Sequence, residues 1–157
     1  MKKKKVLITG DSMGIGLALA KRMLSGGYLV IGTCRSGHIE HVKHENFLAI
    51  SLDVTNVKSI KKAYQEISYR FDQIDIIINN AGIGPDLHQE IPVMTSFDET
   101  FEVNVKGVVL FTETFLDKIA EKGSIIMISS KMGSIDKSVN SDSVGYRMSK
   151  SALNMYT

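Results

Sequence analysis

A short apolar run, Lys5 to Thr9, ends on Gly10, and helix-forming residues from Ile15 to Leu24 follow it. A continuous apolar run of this kind fits a strand buried on both faces; a strand with one face in water alternates instead. Such a strand needs helices on either side, and the rest of the sequence supplies them by alternation. Gly26-Gly27 stops the first helix, Tyr28 to Thr33 is a second β-rich run, and Phe47 to Leu52 a third. Thr55 or Asn56 caps a helix whose apolar positions Val57, Ile60, Tyr64 and Ile67 recur at helical spacing. Ile74 to Ile78 is a fourth strand. Beyond a loop with Pro85 and Pro92, a long helix is expected from about Phe97 to Ala120, its core stripe including Phe101, Val105, Val108, Phe115 and Ile119. Ser124 to Ile128 reads as a fifth strand, and a helical pattern returns from about Val144. This alternation implies an α/β fold, a doubly wound parallel sheet of five strands in a single domain over residues 1–157. Ligands of such sheets bind at the carboxyl ends of the strands.

The composition agrees. A chain of 157 residues, 43% hydrophobic with 2 prolines, supports one domain with a sizeable core and argues against disorder. Its 19 basic and 17 acidic residues leave a formal charge of +2, which indicates no nucleic-acid or polyanion partner. The single cysteine, Cys34, cannot form an internal disulfide, which leans towards a reducing compartment, the cytoplasm. No apolar run approaches the roughly 20 residues that span a bilayer. Lys2 to Lys5 followed by Val6-Leu7-Ile8 is too short for a signal-peptide core of about 7–15 residues, so the lysines read as a solvated start to the first strand.

Thr9-Gly10-Asp11-Ser12-Met13-Gly14-Ile15-Gly16 sits where a doubly wound sheet places a dinucleotide pyrophosphate. Gly10 permits a tight turn, while Gly14 and Gly16 allow close approach of backbone to phosphate and of helix to strand. The helix beginning near Ile15 points free N–H groups and its positive dipole end at that phosphate. Any strand-to-helix turn can use glycine, and the glycines fall at 10, 14 and 16 rather than at the usual G-x-G-x-x-G spacing. The strand before and the helix after nonetheless meet the context that a phosphate cradle requires.

Thr9-Gly-x-x-x-Gly-x-Gly16, Asn79-Asn80-Ala81-Gly82 and Tyr146-x-x-x-Lys150, in this order, resemble the classical short-chain dehydrogenase/reductase family over essentially the whole chain. Thr33-Cys34-Arg35, Ala81 to Pro85 and Gly145 to Lys150 are similar to its C-factor and carbonyl-reductase-like branch. The resemblance implies a Rossmann-like domain that binds a nicotinamide cofactor through Gly10, Ser12, Gly14, Ile15 and Gly16. It also implies that Asp53, with Val54, meets the adenine, and that Asn80, Ala81 and Gly82 lie along the adenosine half. Asn79 is read as turn chemistry alone. At the end of the second strand no carboxylate is present to hold a ribose 2′-OH, whereas the fork of Arg35 suits a 2′-phosphate, so NADP(H) is preferred over NAD(H). The alternative is a surface arginine of no consequence.

Reducing a carbonyl needs a hydride on carbon and a proton on oxygen, so the protein must supply a poised acid. Tyr146 and Lys150 are four apart on a helix and share one face. A free tyrosine ionises near pH 10, and a cation beside it favours the phenolate. The resemblance makes Tyr146 the general acid/base and gives Lys150 a second role, holding the nicotinamide ribose. It selects Ser130, with Ser129 as its rival, to orient the substrate carbonyl. Asn104 would mark a local helix break and hold a water that relays protons to the lysine.

His38, His41 and His44 lie in a polar connector and are not read as a metal site. Cys34 is read as a buried strand-end thiol, and Met13, Met94, Met127 and Met148 as core filler, with Met94 and Met132 also candidates for a substrate pocket. The expected partner is a small carbonyl or alcohol substrate, with neither nucleic acid nor membrane, and a homo-oligomer is possible through the long and final helices. Thr157 lies 7 residues beyond Lys150, whereas family members continue with a sixth strand, a substrate loop and helix, and a seventh strand. From this the chain is expected to be C-terminally truncated, binding cofactor weakly and turning over slowly. The competing expectation is a catalytically silent nucleotide-binding or signalling protein.

Overall fold

The computed structural model describes residues 3–137, 139 and 141–157. Five strands, β1 (Lys5–Thr9), β2 (Leu29–Cys34), β3 (Phe47–Ser51), β4 (Ile74–Asn79) and β5 (Ile119–Met127), form one parallel sheet in the order β3-β2-β1-β4-β5. The order runs outwards from β1 in both directions, so the cleft between the carboxyl ends of β1 and β4 is the switch point at which such sheets bind ligands. Around the sheet lie α1 (Gly14–Ser25), α2 (Val57–Arg70), α3 (Met94–Phe101), α4 (Val108–Phe115) and α5 (Val144–Tyr156). This is the doubly wound α/β architecture that the alternation of runs implies.

Strand pleating divides the core in two. Leu7 points to one face with Ile31, Ile50 and Ile77, where Ile60, Ala63 and Ile67 of α2 and Phe111 and Phe115 of α4 cover them. Val6 and Ile8 point to the other face with Val30 and Ile78, beneath Ala20 and Leu24 of α1. Both faces of the central strands are therefore apolar, which explains their unbroken runs. Asn56 caps α2, its side chain accepting from the N–H groups of Lys58 and Ser59. Val57, expected in the α2 core stripe, is 48% exposed, and Ala63 takes a buried place instead. Val57 is the first residue of α2, so no preceding helical turn lies beneath its side chain.

The long helix expected from Phe97 to Ala120 is interrupted and shorter. Between α3 and α4 the chain widens into a π-helical segment, Glu102–Gly107. A 3₁₀ turn over Leu116–Lys118 then ends α4, and Ile119 pairs with Ile74 as the first residue of β5. Ile119 is thus apolar because it belongs to the sheet. The β4–β5 register shifts between Ile74 and Ile76, next to Gly123. A Cβ at Gly123 would lie 3.0 Å from the Asp75 carbonyl oxygen, so the irregular strand needs a glycine there.

Phe111 is fully buried between Phe115 and the sheet. Replacing it with alanine should cost about 3–5 kcal/mol in denaturant unfolding. Val57→Ala should cost under about 0.5 kcal/mol, because that side chain is largely exposed.

Candidate active site

The carboxyl ends of β1, β2 and β4 and the first turns of α5 open onto one cavity of about 1100 Å³. Its wall brings together Gly10, Ser12, Gly14, Ile15, Arg35, Asp53, Val54, Asn80, Ala81, Gly82, Tyr146 and Lys150. Gly16, Asn104 and Ser130 lie off the wall.

The glycine loop is shaped by two different needs. Gly10 has φ +68° and Gly14 φ +57°, conformations that L side chains rarely adopt. Gly16 packs on the backbone of Gly10 and Asp11 and on the amide of Asn80, leaving no room for a Cβ. The loop is tied to β4 by Asn80, whose Nδ2 donates to the Thr9 carbonyl (2.9 Å) and the Gly10 carbonyl (2.8 Å). The Asn80 and Ala81 N–H groups both donate to Thr9 Oγ1 at 3.0 Å. Met13, the N-cap of α1, makes no side-chain cap bond, and the first turn carries no acidic residue. The free N–H groups and positive end of α1 therefore face the cavity unneutralised, which fits a dinucleotide pyrophosphate.

Arg35 stands exposed on this wall, directly after the end of β2, with no carboxylate paired to it among the described residues. Asp53 Oδ1 accepts from the N–H (2.9 Å) and Oγ1 (2.7 Å) of Thr55, fixing the turn after β3. Asn79 is no turn residue. It ends β4 at 2% exposure and donates to Thr112 Oγ1 at 3.0 Å and to Met127 Sδ.

Tyr146 and Lys150 share a face of α5, with Lys150 Nζ 5.7 Å from the Tyr146 ring centroid. Lys150 is 5% exposed and donates to the Ile128 carbonyl at 2.9 Å; its burial lowers its pKa below the usual lysine value. Asn104 occupies the π-helical segment, fully buried. Its Oδ1 accepts from Ile83 N, and its Nδ2 donates to the Ile83 carbonyl (both 2.8 Å) and to Ser149 Oγ (3.1 Å). The expected helix break is present, but both amide hydrogens of Asn104 are committed to protein acceptors. The side chain thus locks α5 and the β4–α3 loop to the break.

The two serines after β5 differ in what their hydroxyls do. Ser129, on the cavity wall, donates to Asn154 Oδ1 at 2.5 Å. Ser130 Oγ accepts from Met132 N at 3.2 Å and caps the 3₁₀ turn Lys131–Gly133, and its own hydrogen meets no acceptor among the described residues.

Other sequence expectations fare unevenly. Cys34 is buried, within 3.3 Å of Ser36 Oγ, as read. Met13, Met94 and Met148 are exposed rather than core. Met13 lines the main cavity, while Met132 lines a smaller one of about 420 Å³ beside α5. Among the described residues no three His, Cys, Asp or Glu side chains converge as metal ligands, and no helix is long and apolar enough to cross a membrane.

The sequence pattern of the short chain dehydrogenases matches residues 4–157. The chain belongs to that family. An uncharacterised oxidoreductase of Schizosaccharomyces pombe is 39% identical over 82% of this chain and 45% of its own length. A 3-oxoacyl-[acyl-carrier-protein] reductase of Aquifex aeolicus is 32% identical over 96% of this chain and 64% of its own. The chain thus spans about half to two thirds of the length of these relatives. A short-chain dehydrogenase structure from Streptomyces avermitilis superposes with TM-score 0.88 at 29% identity, covering 99% of this chain and 58% of that one. A Burkholderia multivorans member of the family, solved with bound NADP, gives TM-score 0.86 at 27% identity over 99% of this chain and 71% of that one.

Sequence reasoning missed Asp11, a carboxyl of 0% exposure whose two oxygens have no hydrogen-bond partner among the described residues. It fills the space over Gly32 in β2, and desolvation pushes its pKa up to about 7. Its position beside Gly10 signalled a loop residue, not a buried one. The folded state holds this proton more tightly than the unfolded chain, so its contribution to stability is complete below about pH 4 and lost as pH rises towards 7. Asp11→Asn should therefore match the parent near pH 4 in denaturant unfolding and exceed it above pH 7 by up to about 4 kcal/mol.

Proposed function

We propose that the chain carries the cofactor site and catalytic set of an NADP(H)-dependent oxidoreductase acting on a carbonyl or secondary alcohol. The observation that carries this reading is one shared cavity. An uncapped helix N-terminus and the cationic Arg35 lie on one part of its wall, and the Tyr146–Lys150 pair on another.

NADPH, when bound, supplies the hydride. Backbone N–H groups of the glycine loop and α1 would hold its pyrophosphate, and the Arg35 guanidinium would pair with a 2′-phosphate. Lys150, anchored by the Ile128 carbonyl, would hold the nicotinamide ribose; its ammonium also favours negative charge on the phenol oxygen of Tyr146. Tyr146 would give its phenolic proton to the carbonyl oxygen in reduction and take a proton back in alcohol oxidation. Ser130 follows the wall residue Ser129 and, among the described residues, has a hydrogen free for that oxygen, whereas Ser129 has spent its own on Asn154. The texture of Thr33-Cys34-Arg35 and Gly145 to Lys150 favours the C-factor and carbonyl-reductase-like branch, and hence a small carbonyl substrate.

Arg35→Asp should weaken NADPH binding tenfold or more in a fluorescence titration and bring NADH to comparable affinity. Unchanged NADPH affinity would remove the basis for the cofactor preference.

Turnover is tested by loss of NADPH absorbance with a panel of small aldehydes and ketones, at ~1–10³ s⁻¹ for an enzyme of ordinary efficiency. Ser130→Ala should lower kcat by about 10²-fold while Ser129→Ala changes it by less than about threefold. The reverse order would make Ser129 the orienting group, and an absence of turnover across the panel would refute the oxidoreductase reading.

A further inference from the structure

The helix that carries Tyr146 does not cap itself. Ser143, at its N-cap, has φ +54° and makes no side-chain bond to the helix; its hydroxyl accepts from His88 N at 2.9 Å instead. The N–H of Tyr146, in the first turn, donates to Oδ2 of Asp86 at 3.0 Å. Asp86 comes 60 residues earlier, in the loop after β4, and is 3% exposed.

Its surroundings form a clamp. Leu87 N donates to the Gly84 carbonyl (3.2 Å) and Gln89 N to the Asp86 carbonyl (3.0 Å), closing the turn. Ser143 N donates to the Gln89 carbonyl at 3.0 Å, a second tie to the start of α5. The approach is tight, since a Cβ at Gly145 would lie 3.1 Å from Asp86 Oδ2. One at Gly84 would lie 2.8 Å from Leu87 and 3.1 Å from the Tyr146 ring. The turn thus rests on the tyrosine and also presents Leu87 to the cavity.

We propose that Asp86 is a positioning residue: by capping the first turn of α5 from the β4–α3 loop, it fixes Tyr146 in its place on the cavity wall. A carboxylate suits the positive end of a helix, and an acid misplaced by an ångström loses much of its rate advantage. The proposal rests on the catalytic reading of Tyr146, and its test separates the two.

Asp86→Ala and Asp86→Asn are compared with the parent chain well below their melting temperatures. Asp86→Ala should lower kcat per NADPH-binding site by about ten- to a hundredfold. NADPH affinity should stay within about twofold, and Asp86→Asn, which keeps an acceptor oxygen, should recover most of the rate. Hydrogen exchange should speed up at the Tyr146 amide and in residues 84–89 in Asp86→Ala but not in Asp86→Asn. Gly145→Ala crowds the same bond from the helix side and should reproduce the rate loss if Asp86→Ala fails to fold. Unchanged kcat per site in Asp86→Ala would leave a purely structural role, and unchanged exchange at Tyr146 would refute the clamp. If the parent binds NADPH without turning over, the catalytic reading fails while exchange at Tyr146 still decides whether Asp86 holds the helix.

Discussion

Both amide hydrogens of Asn80 are given to main-chain carbonyls at the end of β1, and the rest of the site is built outwards from that junction. The bonds pull the glycine loop onto the end of β4 so closely that position 16 has no room for a side chain. That contact sets where α1 begins and where its free N–H groups point. An asparagine suits the task because one planar group offers two donors, which a carboxylate cannot. Thr9 completes the junction by accepting from the next two backbone N–H groups with a single oxygen.

A second junction lies across the cavity. Asn104 sits where the chain between α3 and α4 widens, and its amide ties that segment to Ile83 and Ser149. Lys150 is held from another direction, by the carbonyl of Ile128 at the end of β5. The charged end of a nearly buried side chain thus has a fixed partner, without which its desolvation would go uncompensated. Tyr146 stands between these anchors, with its ring on the cavity wall and its backbone N–H on Asp86.

The strands were legible because parallel strands covered on both faces must be apolar throughout, and runs such as Lys5–Thr9 have few other uses. The pairing of Tyr146 with Lys150 was legible because helical spacing alone puts them on one face. The end of the long helix was not, since Ile119 is as apolar in a strand as in a helix and only its pairing with Ile74 decides. The exposure of Val57 and the burial of Ala63 depend on where the helix starts relative to the sheet. Asp11 and Asp86 were missed for one reason: acidic residues in loops read as solvated until distant chain closes over them. Asp86 finds its helix 60 residues later, and no local pattern carries that information.

Asp11 and Gly32 occupy one volume between the glycine loop and β2, the carboxyl standing where a β2 side chain would otherwise be. The two positions therefore cannot change independently over evolutionary time. A lineage that acquires a side chain at 32 must clear Asp11 from that volume and also shift Phe47, whose ring would lie 2.7 Å from a Cβ there. In an alignment of descendants of this sequence, these two columns would drift as a pair, although they are 21 positions apart and neither belongs to the catalytic set.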